Sequence, residues 1–255
     1  EAVRAALSPV RDLERLAARF SCRVATPKDA AALRDSLSQL PGVIRALDPA
    51  RSHLLSAQRT ELRADLDPLQ DTLQRALVEA PPVHLREGGV FAAGYHEELD
   101  RLQSLAADAK QWLAALQARE SERTGISSLK IGYNRVFGYY LEVSNTSLGK
   151  VPDDYIRKQT LSNAERFITP ELKEYEDQIL HAQERSVALE QELFAALCER
   201  VLQYLPQIQT VARASGHVDV LAGFAWTALD RQFIRPDMTQ EAELCIVGGR
   251  HPVVD

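Results

Sequence analysis

The spacing of apolar residues along this chain changes twice, and each change marks a boundary. From about Tyr95 to Arg123, Leu99, Leu102, Ala106, Ala109, Leu113 and Leu116 recur alternately at three and four positions. That spacing predicts a long helix with one buried seam, stopped by Gly125. Beyond it the period drops to two. Leu129, Ile131 and Tyr133 alternate with Lys130 and Gly132, and Phe137, Tyr139, Leu141 and Val143 alternate with Gly138, Tyr140, Glu142 and Ser144. Asn134-Arg135 separates the two runs, which predicts a β-hairpin. A second hairpin is predicted from Arg157 to Ile168, with Ser162-Asn163-Ala164 at its tip. After Thr169-Pro170 the helical stripe returns in Leu172, Tyr175, Ile179, Ala182, Ser186, Leu189 and Leu193. No breaker follows until Pro206, room for a helix about 50 Å long.

The first ninety residues read as short helices. Ser8-Pro9, Thr26-Pro27 and Asp67-Pro68 each pair a side-chain acceptor for orphan N–H groups with a proline that pre-sets φ. Pro41-Gly42 is expected to break the helix after Thr26-Pro27, and Pro81-Pro82 to close the region. A further helix is predicted from about Gln207 to Leu229, with Ile208, Val211, Val218, Leu221, Ala225 and Trp226 along it. Glu243 to Val247 reads as a strand, with a turn at Gly248-Gly249-Arg250-His251-Pro252. The fold class is therefore mainly α: a helical core bundle with two long antiparallel helices, capped by a small β-sheet inserted between them. The expected division is a helical core and ascending helix over 1–125, a β module over 126–168, a descending helix and return to the core over 169–231, and a linker with the first strand of another domain over 232–255.

Charge makes the β module stand out. The chain of 255 residues carries a net charge of −6. Between Leu129 and Arg166, Lys130, Arg135, Lys150, Arg157, Lys158 and Arg166 outnumber Glu142, Asp153, Asp154 and Glu165. A basic tip on an acidic body implies a localised site for a polyanion. Lysine and arginine neutralise phosphates, and small polar residues at hairpin tips donate hydrogen bonds to them without reading base sequence. The aromatics Tyr133, Phe137, Tyr139, Tyr140 and Tyr155 are expected to form the core of so small a module rather than base-stacking platforms. An alternative of a different class is a structural or protein-interaction helical module whose basic tip is merely solvated.

Other chemistry is not signalled. There is no phosphate loop, dinucleotide fingerprint or nucleophile elbow, and no enzyme is expected in this chain. Glu171, Glu174, Glu176 and Asp177 cluster where they complement a helix dipole. Arg250-His251 has no partner in the pattern. The histidines lack zinc spacing. Cys22, Cys198 and Cys245 read as small buried residues of a reducing cytoplasm. Apolar runs such as Val220 to Leu229 are too short for a bilayer, no secretory leader is visible, and the start at Glu1 suggests an excised piece or preceding residues.

Two stretches carry a specific resemblance. Gly-Tyr-Asn-Arg-Val-Phe-Gly-Tyr-Tyr (Gly132 to Tyr140) and Val-Pro-Asp-Asp-Tyr-Ile-Arg-Lys-Gln-Thr-Leu-Ser-Asn-Ala-Glu-Arg-Phe-Ile-Thr-Pro-Glu-Leu-Lys-Glu-Tyr-Glu (Val151 to Glu176) closely resemble the clamp region of the bacterial MutS family of DNA mismatch-repair proteins. Arg11 to Leu16, Ala25 to Pro27 and Gly249 to Val254 agree with it, so the resemblance covers essentially the whole chain. It implies the core, levers and clamp of such a protein, without the ATPase domain or the mismatch-probing motif. It implies non-sequence-specific contact with the backbone of double-stranded DNA, and levers that relay nucleotide state. Ser147, Ser162 and Asn163 match hairpin-tip positions that face DNA. Thr146, Lys150, Lys158 and Thr160 are added to them from their chemistry. Some relatives carry a basic residue where this chain has Ser162, which weakens the local phosphate contact here. No cofactor or metal is implied for this part, whereas the full-length family uses ATP and magnesium. A homodimer, a MutL-type partner, no membrane, and a cytoplasmic, nucleoid-associated location are implied for the whole protein.

Overall fold

The computed structural model describes residues 1–134, 136 and 138–251, except the side chains at 106, 107 and 110. The expectations for the Ala106 side chain, for Arg135 and Phe137, and for Pro252 to Asp255 lie outside the described residues. The described helices are α1 (Ala2–Leu7), α2 (Leu13–Ser21), α3 (Pro27–Leu47), α4 (His53–Glu61), α5 (Asp67–Ala76), α6 (Glu97–Thr124), α7 (Pro170–Gln203) and α8 (Leu205–Asp230). Between α6 and α7 lie β1 (Lys130–Asn134), β2 (Gly138–Ser144), β3 (Ile156–Thr160) and β4 (Ala164–Ile168). The mainly α fold with a small inserted sheet is thus as its apolar periods predict.

Caps explain where the early helices start, and they correct part of the sequence reading. Thr26 does begin α3. Its Oγ1 accepts from Asp29 N, and Asp29 Oδ2 accepts from Thr26 N at 2.8 Å, a reciprocal capping box. Ser8-Pro9 begins nothing: Ser8 ends α1, and α2 is opened by Asp12, whose Oδ1 accepts from Arg15 N at 2.8 Å. Asp67 is the first residue of α5 and makes no cap, Leu66 preceding it in the cap position. Pro41 does not break α3, which runs on to Leu47. Beyond the proline, Val43 and Leu47 continue the buried seam of Leu33, Leu37 and Leu40. Burying each is worth about 1.5–3 kcal/mol, enough to offset the ~3 kcal/mol cost of an interior proline.

The bundle core draws α1 to α5 together with the later part of α7 and the first half of α8. Leu16, Phe20, Leu33, Leu37, Leu69 and Leu73 bury against Phe194, Val201, Ile208, Val211 and Val218. The pairs Gln103–Glu190, Trp112–Tyr175 and Arg119–Glu171 show that α6 and α7 run antiparallel. At the root of this pair sits Glu190, a carboxylate with no exposure. It accepts from Gly89 N (2.9 Å), Val90 N (3.1 Å) and Gln103 Nε2 (3.0 Å). Gly88 and Gly89 have φ of +70° and +77°, so the loop presents consecutive N–H groups as an anion-holding nest.

The C-terminal expectation fails in one respect. Residues 243–247 form no strand, and Leu244 and Val247 are almost fully exposed. Among the described residues no strand lies beside them, and a lone strand leaves its backbone groups unpaired. The last turns of α8 are also exposed, including Phe224 and Leu229. Cys22 and Cys245 are exposed rather than buried. Cys198 is the partly buried one, and burial pushes its thiol up to about 11.

The capping box yields a stability prediction. Burial works to raise the Asp29 pKa, but hydrogen bonds from Thr26 and Arg19 outweigh it and the net shift is downward. A depressed carboxylate contributes stability above its unfolded pKa and loses that contribution as pH falls through the folded one. Thr26→Ala should therefore cost about 1 kcal/mol at neutral pH, measured by urea unfolding. The difference between Asp29→Asn and the parent should shrink steadily below about pH 4.

Candidate nucleic-acid interface

The four strands form one antiparallel sheet in the order β1-β2-β4-β3. One face packs Leu141, Val143 and Phe167 onto Leu116, Ile126 and Leu129 at the end of α6 and Leu172 at the start of α7. Gly125, with φ +65°, ends α6 and releases the chain into the sheet. On the other face, Gly132 opposes Tyr140 across the β1–β2 ladder. The Tyr140 ring lies over the bare glycine, where a Cβ would come 2.6 Å from the ring. The Arg166 guanidinium stacks on that ring at 4.3 Å. Of the expected aromatic core, Tyr140 and Tyr155 are buried and Tyr139 partly so, while Tyr133 is more than half exposed.

Two buried carboxylates fasten the sheet to the helices. Glu120 of α6 accepts from the Tyr155 hydroxyl at 3.0 Å and from Arg123 Nη2 at 2.7 Å. Arg123 in turn pairs with Asp154 at 3.0 Å. Burial, together with the Glu120 charge, raises the Tyr155 pKa, so its hydroxyl stays a donor. Glu176 of α7 accepts from Tyr139 N at 3.4 Å and pairs with Lys173 at 3.5 Å. It lies directly beneath Gly138, whose φ is +81° and whose place any Cβ would contest with the Glu176 carboxylate.

The polar residues gather at one corner, where the β3–β4 hairpin meets a 3-10 segment at Asn145–Lys150. Asn145 N donates to Asn163 O and Asn145 Nδ2 to Ser162 O, both at 3.1 Å. The Ser144 hydroxyl lies 3.0 Å from that of Thr146, 3.3 Å from that of Ser147 and 3.4 Å from that of Ser128. The structure thus brings Thr146, Ser147, Ser162 and Asn163 together, with Thr160 exposed at the adjoining end of β3. Sequence reasoning missed Ser128, Ser144 and Asn145. The polar run Ser144-Asn145-Thr146-Ser147 is the signal that could have found the last two, while Ser128 is adjacent only in the fold.

The basic residues divide. Lys158 sits at the register shift between β3 and β4, exposed and without an ion pair or hydrogen bond among the described residues. Lys150 Nζ donates to Gly125 O at 3.1 Å, completing the C-terminal cap of α6 while keeping its charge. Arg157 and Arg166, grouped with them on composition, are neutralised across the sheet by Glu165 at 2.9 Å and Glu142 at 3.0 Å. Glu165 Oε2 is buried and is approached by Arg157 without the alignment of a hydrogen bond, so this pair acts through charge. These partners lie on adjacent strands, eight and twenty-four positions away in sequence, so counting charges along the segment does not reveal the pairing. Among the described residues no cluster of His, Cys, Asp or Glu could hold a metal, and no helix is long and apolar enough to cross a membrane.

The described architecture is a small sheet with a polar corner, carried at the end of two long antiparallel helices. The chain belongs to the MutS family. The pattern described as MutS family domain IV matches residues 94–185, from the start of α6 to the middle of α7. The chain is 45% identical over 255 residues to DNA mismatch repair protein MutS of Lachnoclostridium phytofermentans. It is 48% identical over 253 residues to that of Symbiobacterium thermophilum and 48% over 249 residues to that of Myxococcus xanthus. These matches take in 98–100% of the chain but only 27–29% of the relatives' length.

The anchoring of the sheet is testable. Tyr155→Phe removes a hydrogen bond to a buried charge and should cost about 1.5–3 kcal/mol in urea unfolding. Gly138→Ala should cost more than the ~1–3 kcal/mol of a strained backbone alone, since Glu176 must also move. A Gly138→Ala protein as stable as the parent would contradict the contact beneath the turn.

Proposed function

We propose that this chain grips double-stranded DNA by its sugar–phosphate backbone, without sequence preference, through the polar corner of the β-sheet. The observation that carries the reading is that corner itself. Hydroxyl and amide groups from two separate segments converge there at the far end of a long helix pair, on a sheet whose strand β3 also carries the exposed, unpaired Lys158. Such groups position a duplex but do not read it. The family and the relatives' description as DNA mismatch repair proteins support the same reading.

The division that follows is a helical core and first lever over 1–125, the clamp over 126–168, the second lever over 169–231 and a linker beyond. The chain binds rather than catalyses. In the whole protein the levers would connect the clamp to a separate domain that uses ATP and magnesium. Two copies would close around a duplex in the cytoplasm, at the nucleoid, and a MutL-type protein would join them.

Fluorescence anisotropy with a labelled duplex tests this. Lys130, Lys150 and Lys158 have no carboxylate partner among the described residues. Three neutralised phosphates give a log–log salt slope of about −2.7. Affinity should be weak, since the avidity of a second copy is absent. Lys158→Gln should weaken binding equally for all sequences and make the slope shallower by about 0.9. Arg166→Gln should leave the slope unchanged and lower thermal stability instead. Absence of salt-sensitive binding at low ionic strength would overturn the reading in favour of a protein-interaction module.

A further inference from the structure

The contacts of Asn145 carry an inference that rests on the duplex-binding reading and deepens it. The tip of the β3–β4 hairpin is closed by one bond of its own, Leu161 N to Ala164 O at 2.8 Å. The carbonyls of Ser162 and Asn163 are held from outside, by the side chain and the backbone of Asn145. With both carbonyls drawn inward, the Ser162 and Asn163 side chains stand exposed and make no hydrogen bond among the described residues. The same residue opens the segment carrying Thr146 and Ser147. Asn145 therefore fixes the distance between the two groups of donors, with its backbone N–H and one of its two side-chain N–H donors engaged in doing so.

We propose that Asn145 is a positioning residue for the backbone-contacting tip, holding Ser162 and Asn163 in register with Thr146 and Ser147 before DNA arrives. Binding that must first order a loop is weaker by the cost of ordering it. A strut that sets the loop in advance removes that cost without adding a charge. Loss of the strut should lower affinity and leave the salt slope untouched, which separates it from loss of a phosphate-neutralising lysine.

Two substitutions grade the effect. Asn145→Ala removes the side-chain bond and keeps the backbone one. Asn145→Pro removes both, and Ser144 already has the φ of −63° and ψ of 147° that a residue before proline prefers. The experiment measures amide hydrogen exchange across residues 161–164 in the free chain, and duplex affinity as a function of salt, for both variants and for Lys158→Gln. Asn145→Ala should speed exchange at the tip and weaken duplex binding about fivefold, and Asn145→Pro should do so further, both with the parent's slope. Unchanged exchange at the tip, or a loosened tip with parental affinity, overturns the assignment of Asn145 alone. If the parent chain binds no duplex while Asn145→Ala still loosens the tip, the duplex reading falls and this role falls with it.

Discussion

The sheet at the tip is too small to stand on its own, and the attachment that holds it governs everything else at that end. Four short strands with two open edges bury only one modest cluster. That cluster is completed by residues of the helices, Leu116 from α6 and Leu172 from α7. Glu120 and Glu176, one from each helix, then fix the sheet by hydrogen bonds from Tyr155 and Tyr139. A buried carboxylate is tolerated only when its acceptor sites are filled, so each anchor enforces a geometry as well as contributing energy. The seam between α6 and α7 thus sets where the sheet points.

Anchoring also explains why charge is a poor guide to the candidate interface. Arg157 and Arg166 look like the centre of a basic patch in the sequence. In the fold they are spent on Glu165 and Glu142, and Arg166 also stacks on the Tyr140 ring, which itself fills the space over Gly132. The exposed side chains at the polar corner are neutral, those of Thr146, Ser162 and Asn163, with Lys158 exposed further along β3. Under the proposed reading, such a surface would hold a phosphate by direction of donors more than by net charge.

The layout of the molecule was legible because its periods are clean. The three-and-four spacing of Leu99 to Leu116 gave α6, and alternation from Leu129 to Val143 gave the first hairpin. Local rules failed where burial overrode them. Pro41 should end a helix, yet Val43 and Leu47 lie on the buried seam and carry α3 through. Glu243 to Val247 has the composition of a strand but no neighbour among the described residues to pair with. The candidate site was half legible. Thr146, Ser147, Ser162 and Asn163 could be picked as polar tip residues, but Asn145 joins them through hydrogen bonds across seventeen and eighteen positions of sequence. No short-range pattern encodes such a bond.

The carboxylate of Glu190 has a consequence for how the chain is made. The Gly88–Val90 loop lies ahead of α6, but the group that satisfies its N–H donors arrives about a hundred residues later. The same delay applies to the bundle core, since Phe20 and Leu33 wait for Phe194, Val201 and Val218. At roughly 5–20 residues per second of synthesis, the N-terminal helices emerge well before the surfaces that cover them. The chain must travel out to the tip and back before its beginning has a finished core. The long excursion therefore sets a clock on folding, during which the apolar faces of α2 and α3 are open to whatever binds nascent chains.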